Sequence, residues 1–358
     1  MKKICITLIL IIIAGVLSGC TIKPVTSVSG NGFYFDTFVS FTVYGTEDTE
    51  IINGLKAECD KYEKIFSAVN YRSELYRLNR GETDEVSKDL YDSVKKALLL
   101  CEYSDGLYDV TIRPVSEQWQ FVPEEPGGPV LPVIPDDEDI KKALEKVDYR
   151  KVKLSETEDG KYKIDLNGTA IDMGSVAKGY IADRLIEYLK EKGIKSAIIS
   201  LGGNIVCLGD KPVENDGKVE EQDYTVAIKS PFAVKTSTND DGSGQYADIV
   251  YIRDKSVVTS GIYERSFEKD GITYHHLIDT KTGYPCNSDL ASVSIISDSS
   301  FEADILSTVC YYLDYDKTIE LQNKDIVGDF EAEFIYKDGS VKRTMGFSKY
   351  EHKGEDRS

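Results

Sequence analysis

The sequence predicts an α+β protein in which mixed sheets pack against helices. Three observations carry this. Short stretches rich in β-branched and aromatic residues come in runs, most densely between residues 196 and 260. Helical periods separate only some of these runs, which argues against a regular βαβ array. No internal repeat is present. The 358-residue chain is long enough for one large domain or two intimately packed ones.

In order along the chain, "FYFDTFVSFTVYG" (Phe33 to Gly45) reads as a strand. Glu47 to Phe66 is helical, with Ile51, Leu55, Tyr62 and Ile65 on one stripe. Leu90 to Tyr103 is a second helix, stopped by Asp105-Gly106. "FVPEEPGGPVLPVIPDD" (Phe121 to Asp137) is a long proline- and glycine-rich loop, followed by a helix over Glu138 to Val147. Lys151 to Asp172 reads as two strands, and Ser175 to Lys192 as a helix closed by Gly193. Short strands follow at Ser196–Leu201, Ile205–Leu208, Tyr224–Ile228, Ala247–Arg253 and Ser256–Ser260. Lys211 to Asp223 and Lys235 to Gln245 read as surface insertions between them. Tyr274–Ile278 and Ala291–Ser297 complete the expected central strands. A helix over Phe301 to Tyr312 and a closing hairpin (Glu333–Lys337, Ser340–Met345) end the fold. Residues 348–358 read as a disordered tail.

The N-terminus reads as an address. Lys2 and Lys3 precede an apolar run, and Leu17-Ser18-Gly19-Cys20 closes it. That close resembles a bacterial lipobox, with residues 1–19 removed and Cys20 lipidated. A plain signal peptide and a membrane anchor are the alternatives, but the run is short against the roughly 20 residues a spanning helix needs. Residues 20–32 then form a lipid-anchored polar tether. The expected location is the extracytoplasmic face of a bacterial membrane, with the folded domain over residues 33–347.

The formal charge of −19 excludes nucleic acid as a partner, because phosphate backbones call for basic surfaces. An anionic small ligand would need a metal, a helix N-terminus or a few placed cations. Seven cysteines, scattered and without a C-x-x-C, do not make a disulfide framework, and Cys101 and Cys310 lie in apolar runs.

Four stretches carry candidate chemistry. In "GTAIDMGSVAKGYIADRL" a strand hands over to a helix at Gly174-Ser175, and the first amides of that helix have no internal partners. Lys178 and Gly179 follow, so the entrance suits a phosphate; a plain strand–helix corner capped by Ser175 fits as well. In "SSFEADILSTVC" Asp304 and Thr308 share a helix face. A carboxylate and a hydroxyl are hard oxygen donors that suit Mg²⁺, although Asp304 also fits a helix cap. In "TSGIYERSFEKDGITYHHLIDTKTGYP" stand two of the three histidines, His275 and His276, which face opposite ways if the segment is a strand. One of them suits a general base, and Arg265 suits a phosphate; a polar-edged hairpin is the plainer reading. The surroundings do not fit zinc. In "YDVTIRPVSEQWQF" the single tryptophan, Trp119, fits either core packing or stacking on a heterocycle.

Together these stretches resemble the ApbE family, the FAD:protein FMN transferases. "IDMGSVAKGYIADRL" resembles its D-[LI]-G-[GA]-[IV]-A-K-G-x-x-x-D motif, and "IISLGGNIVCLG" its L-[GS]-G-N. "SGIYER" with "YHHLIDTKTG" resembles S-G-x-Y-E-R…Y-x-H-[IL]-[IL]-[DN]-[PT]-x-T-G, and "SFEADILSTV" resembles A-D-x-[LA]-[ST]-T. The likeness runs from about Phe35 to Tyr312. It implies an ApbE-like, T-fold-related unit of two intimately associated subdomains. It implies a Mg²⁺ site from the Asp304 carboxylate, the Thr308 hydroxyl and a backbone carbonyl at Ser175. FAD contacts are implied at Phe35, Trp119, Gln120, Phe121, Asp172, Lys178 and Ile278, beside the phosphate role read for Arg265. His276 matches the catalytic base. Implied acceptors are flavoprotein subunits of extracytoplasmic redox complexes, with flavinylation sites of the D-G-x-[ST]-G-A-[ST] type. Alternative activities are a Mg²⁺-dependent FAD pyrophosphatase and a non-catalytic FAD-binding lipoprotein. Some residues depart from the family pattern. Phe35-Asp36-Thr37 stands where many members have M-G-T, Met173 and Ser175 are uncommon at their positions, and Thr280 replaces a frequent proline. Val69 and Asn70 lie near the region that bears on transfer against hydrolysis.

Overall fold

The computed structural model describes residues 25–119, 121, 131–233 and 245–351. Its framework is one antiparallel sheet in the order β1 (Ser27–Tyr34), β2 (Thr37–Tyr44), β6 (Ser196–Leu201), β7 (Asn204–Leu208), β12 (Ser256–Gly261), β15 (Leu290–Ser297), β16 (Phe330–Tyr336) and β17 (Val341–Arg343). The helices are α1 (Glu50–Phe66), α2 (Glu74–Asn79), α3 (Lys88–Tyr103), α4 (Arg113–Ser116), α5 (Asp137–Leu144), α6 (Ala177–Glu191) and α7 (Ser300–Gln322). Smaller sheets pair β3 (Glu85–Val86), β4 (Lys153–Glu156) and β5 (Tyr162–Asp165); β8 (Lys211–Asn215) with β9 (Lys218–Gln222); β10 (Tyr224–Lys229) with β11 (Tyr246–Ile252); and β13 (Ser266–Lys269) with β14 (Ile272–His275).

Both faces of the central strands are covered. Val258, Val293 and Ile295 join α1, α6 and α7 in the main core, which includes Phe41, Leu55, Ile181, Leu185 and Leu306. Their neighbours Val257 and Ile296 point the other way, against Tyr224, Val226, Val250, Phe347 and Tyr350. Successive strand side chains face opposite sides, so a strand buried on both reads as unbroken apolar sequence. Every residue of β15 is accordingly buried. A third, smaller cluster gathers Val115, Trp119, Phe121, Ile140, Phe267 and Ile278.

Several expectations need correction. Phe33 to Gly45 is not one strand. Phe35 and Asp36 take left-handed φ angles of 54° and 57° and turn the chain into the β1–β2 hairpin. The tether expected through Gly32 is therefore already strand from Ser27, where Val28 packs into the core. Alternation across Ser29, Asn31 and two glycines hides this strand in the sequence. Tyr274–Ile278 is not a central strand, because β14 ends at His275 and, among the described residues, pairs with β13 in a separate two-stranded sheet. Lys211–Asp223 folds back on itself as β8–β9. The late helix runs past Tyr312: it breaks at Asp314 (φ 61°), where the apolar run stops, and resumes to Gln322. The expected disordered tail begins with a 3₁₀ turn, Phe347–Tyr350, in which Tyr350 is buried; residues 352–358 lie outside the described residues. The cysteines Cys59, Cys101, Cys207, Cys286 and Cys310 are free thiols, and all but Cys286 are buried.

Candidate active site

A cleft of about 380 Å³ opens where the α6 N-terminus, the first turns of α7, the end of β12 and the segment after β14 converge. It has a polar end and an aromatic end.

At the polar end, α6 and α7 cross in contact. Gly179 permits this: a Cβ there would lie 2.2 Å from the Ser300 carbonyl oxygen and 2.5 Å from Asp304 Cβ. The Gly179 N–H is one of the first-turn amides that a helix cannot satisfy internally. It donates to Asp304 Oδ2 at 2.8 Å. The anion held at this helix entrance is thus the protein's own carboxylate, and Ser175 is no cap, since α6 starts at Ala177 without a side-chain cap bond. Asp304, only 3% exposed, is not a helix cap either; Ser299 caps α7. Its second oxygen, Oδ1, lies 3.8 Å from Lys178 Nζ. Lys178 also reaches Asn204 Oδ1 at 3.3 Å. One turn beyond Asp304, the Thr308 hydroxyl lies 3.2 Å from Ser260 Oγ, which in turn bonds Ser307 Oγ.

The wall opposite carries the base candidate. His276 Nδ1 lies 3.2 Å from the Glu264 carbonyl oxygen. A carbonyl only accepts, so this bond assigns the proton to Nδ1 and leaves the Nε2 lone pair free. Burial, aided by Arg265, His275 and Lys178, pushes the imidazole pKa down to about 3, so the ring is neutral at physiological pH. His275 points the other way, buried edge-to-face against Tyr311, and burial depresses its pKa to about 4. Arg265 lines the cleft with a left-handed φ of 38°. Asp172 receives Gly174 N–H on Oδ1 (2.9 Å) and the Ser116 hydroxyl on Oδ2 (2.7 Å).

At the aromatic end Trp119 is packed in a core cluster and also faces the cleft. The ring is 4% exposed, stacked on Phe121 with centroids 5.4 Å apart and packed against Tyr274 and Tyr284, yet it lines the cleft. Its indole N–H donates to the Gly283 carbonyl at 3.0 Å. Ile278 is held from the other side, its carbonyl accepting the Tyr312 hydroxyl at 2.8 Å.

Ten of the expected site residues thus line one cleft: Trp119, Phe121, Asp172, Ser175, Lys178, Arg265, His276, Ile278, Asp304 and Thr308. Phe35 does not. It sits in the β1–β2 turn, its N–H donating to Glu63 Oε1 at 2.9 Å. Gln120 and Cys20 lie outside the described residues. Sequence reasoning missed Tyr108, which bonds Ser175 Oγ at 3.1 Å, and Glu264, which orients His276 through its carbonyl. It also missed Ser116 and Arg113, which flank Asp172. Tyr108, Ser116 and Arg113 act across more than fifty residues and Glu264 across twelve; their only trace was membership of the quoted stretches.

This fold and this cleft place the protein among the ApbE proteins. The ApbE family model matches residues 35–332, and the chain belongs to that family. A FAD:protein FMN transferase of Treponema pallidum (strain Nichols) is 34% identical over 293 residues, covering 79% of this chain and 76% of that protein. One of Klebsiella pneumoniae (strain 342) is 29% identical over 292 residues, covering 78% and 83%. The crystal structure of the ApbE protein of Thermotoga maritima superposes with a TM-score of 0.74 at 25% identity, covering 91% of this chain and all of that one. The flavin transferase ApbE of Vibrio cholerae gives a TM-score of 0.72, also at 25% identity, covering 91% of this chain and all of that one.

Proposed function

We propose that this protein transfers the FMN moiety of FAD to a threonine or serine hydroxyl of an acceptor protein, forming a phosphoester and releasing AMP. The observation that carries the reading is a neutral His276, with Nε2 free, in one cleft with the Asp304–Thr308 pair. The acceptor hydroxyl gives its proton to Nε2 as its oxygen attacks the FMN-side phosphorus. The bond from that phosphorus to the bridging oxygen breaks, and AMP departs with the electron pair. Lys178 offsets the pyrophosphate charge, and the aromatic end receives an apolar ring system.

The donor set fits a magnesium ion. Among the described residues Asp304 Oδ1 has no hydrogen-bond donor closer than Lys178 at 3.8 Å, and Thr308 adds a second hard oxygen. Among the described residues no group of three His, Cys, Asp or Glu side chains forms a metal cage. A single carboxylate suits Mg²⁺, which keeps waters and takes substrate phosphate oxygens. Asp304, Thr308 and the Ser175 carbonyl would hold it, and it would supply charge neutralisation at the transferred phosphoryl group. Cys20 would anchor the enzyme outside the cell membrane, where exported flavoprotein subunits of redox complexes are its acceptors.

The test incubates the protein with FAD and Mg²⁺, with and without an acceptor domain bearing a D-G-x-[ST]-G-A-[ST] site. AMP released only with acceptor, together with in-gel flavin fluorescence of the acceptor, is expected. AMP and free FMN without acceptor would make the protein a pyrophosphatase. Tight FAD binding with neither product would make it a carrier.

A further inference from the structure

The D-[LI]-G-[GA]-[IV]-A-K-G-x-x-x-D stretch ends on Asp183, which does not line the cleft. It lies one turn beyond Gly179 on the same face of α6. Its carboxylate reaches across to the start of α7. Oδ1 accepts the Ser300 N–H at 2.8 Å; Oδ2 accepts the Phe301 N–H at 3.1 Å and the Ser299 hydroxyl at 2.7 Å. These are first-turn amides of α7, the donors a helix leaves without internal partners.

The arrangement is reciprocal. Asp183 of α6 closes the N-terminus of α7, while Asp304 of α7 accepts from Gly179 in the first turn of α6. Gly179 lets the two helices touch between these ties. One carboxylate on each helix, set one turn from the amide that the other helix's carboxylate accepts from, fixes both the separation and the axial position of α7. A slip along the axis would break three bonds at Asp183 and one at Asp304. That axial position decides where Asp304 Oδ1 and Thr308 Oγ1 stand in the cleft.

We infer that Asp183 is a positioning residue for the metal-binding pair: it touches neither substrate nor ion and sets the register of the helix that bears both ligands. This rests on the magnesium reading above. Partners one step behind the ligands typically tune metal affinity ten- to a hundredfold when removed.

The test measures Mn²⁺ binding by electron paramagnetic resonance on the whole protein, with ADP present as a pyrophosphate that carries no FMN. Asp183→Ala is expected to weaken Mn²⁺ binding by roughly ten- to a hundredfold, and Asp183→Asn, which keeps the shape and one acceptor oxygen, by less. AMP release by the variants should then recover as Mg²⁺ is raised, a change in metal requirement more than in kcat. If Asp183→Ala does not fold, Asp183→Asn decides. A lowered thermal midpoint with wild-type Mn²⁺ affinity would mean that Asp183 only holds the fold, and would overturn the inference. A wild-type protein that takes up no Mn²⁺ would sink the metal reading instead, a separate failure.

Discussion

The two ends of the cleft are built by different physics. The polar end centres on two short segments, 172–183 and 300–308, locked through reciprocal carboxylate–amide bonds. Asp304 and Thr308 are buried there, and a buried polar group that loses its partner costs about 1–3 kcal/mol. The aromatic end draws Trp119, Phe121, Phe267, Tyr274 and Tyr284 from separate stretches and holds them by stacking and area burial. Dispersion is graded and tolerant of exchange, whereas hydrogen-bonded charge is not. The polar end should therefore fail abruptly and in chemistry, the aromatic end gradually and in binding and stability.

The sharpest test of that contrast is Asp304→Ala. It removes the only carboxylate of the proposed ion site and frees a first-turn amide of α6. AMP release in the presence of acceptor should fall on the order of a thousandfold. Full turnover at ordinary Mg²⁺ would rule out the metal assignment. His276→Ala comes next, with a fall in kcat of roughly a hundredfold or more and a much smaller change in FAD affinity. Equal losses of binding and rate would remove His276 from the chemistry and make it part of the binding surface.

At the other end, Trp119→Ala deletes a buried ring and leaves the Gly283 carbonyl without its indole donor. Truncations of this kind cost about 3–5 kcal/mol, so the thermal midpoint should drop by many degrees while KM for FAD rises more than kcat falls. Trp119→Phe, which retains ring stacking, should recover most of the stability. Were Trp119→Ala to abolish turnover in a protein that stays folded and still binds FAD, the division into a chemical end and a shape-holding end would be wrong.

The same contrast governs what could be read from the sequence. Asp304 and Thr308 are one helical turn apart, so local spacing put that pair on one face, and the strand–helix corner before Lys178 and Gly179 marked the helix entrance. The pairing of α6 with α7 was not local. The Gly179–Asp304 bond spans 125 residues, and only the family resemblance, not the spacing within either segment, linked the two. Most strands were legible because β-branched residues recur with period two. β1 was not, because its glycines and serines look like tether until Val28 is seen packed in the core. The β1–β2 turn was hidden for a related reason: Phe35 and Asp36 take the left-handed conformation normally left to glycine or asparagine. Trp119 stayed ambiguous because a ring that packs and a ring that lines a cleft have the same sequence signature.

The smallest expected effect sharpens the boundary between the two ends. Burial is the first cause of the depressed His276 pKa, and the Arg265 charge adds to it. Arg265 carries a left-handed φ, so Arg265→Asn is the informative change: it removes the charge and tolerates that backbone. The sign follows from the base role. A histidine must be neutral to accept a proton, so activity is lost as pH falls through its pKa, and removing a neighbouring cation raises that pKa. The acidic limb of kcat/KM should therefore move up from about pH 3, by less than about one unit because Arg265 is solvent-exposed and screened. It should stay below the ordinary histidine value, since burial persists. The same depression makes acid destabilising. Between the ordinary value and about pH 3 the unfolded chain binds protons at His276 that the native chain refuses, and His275 adds to this down to about pH 4. An acidic limb that does not move in Arg265→Asn would mean that the Arg265 charge does not reach the imidazole, leaving only its proposed hold on phosphate.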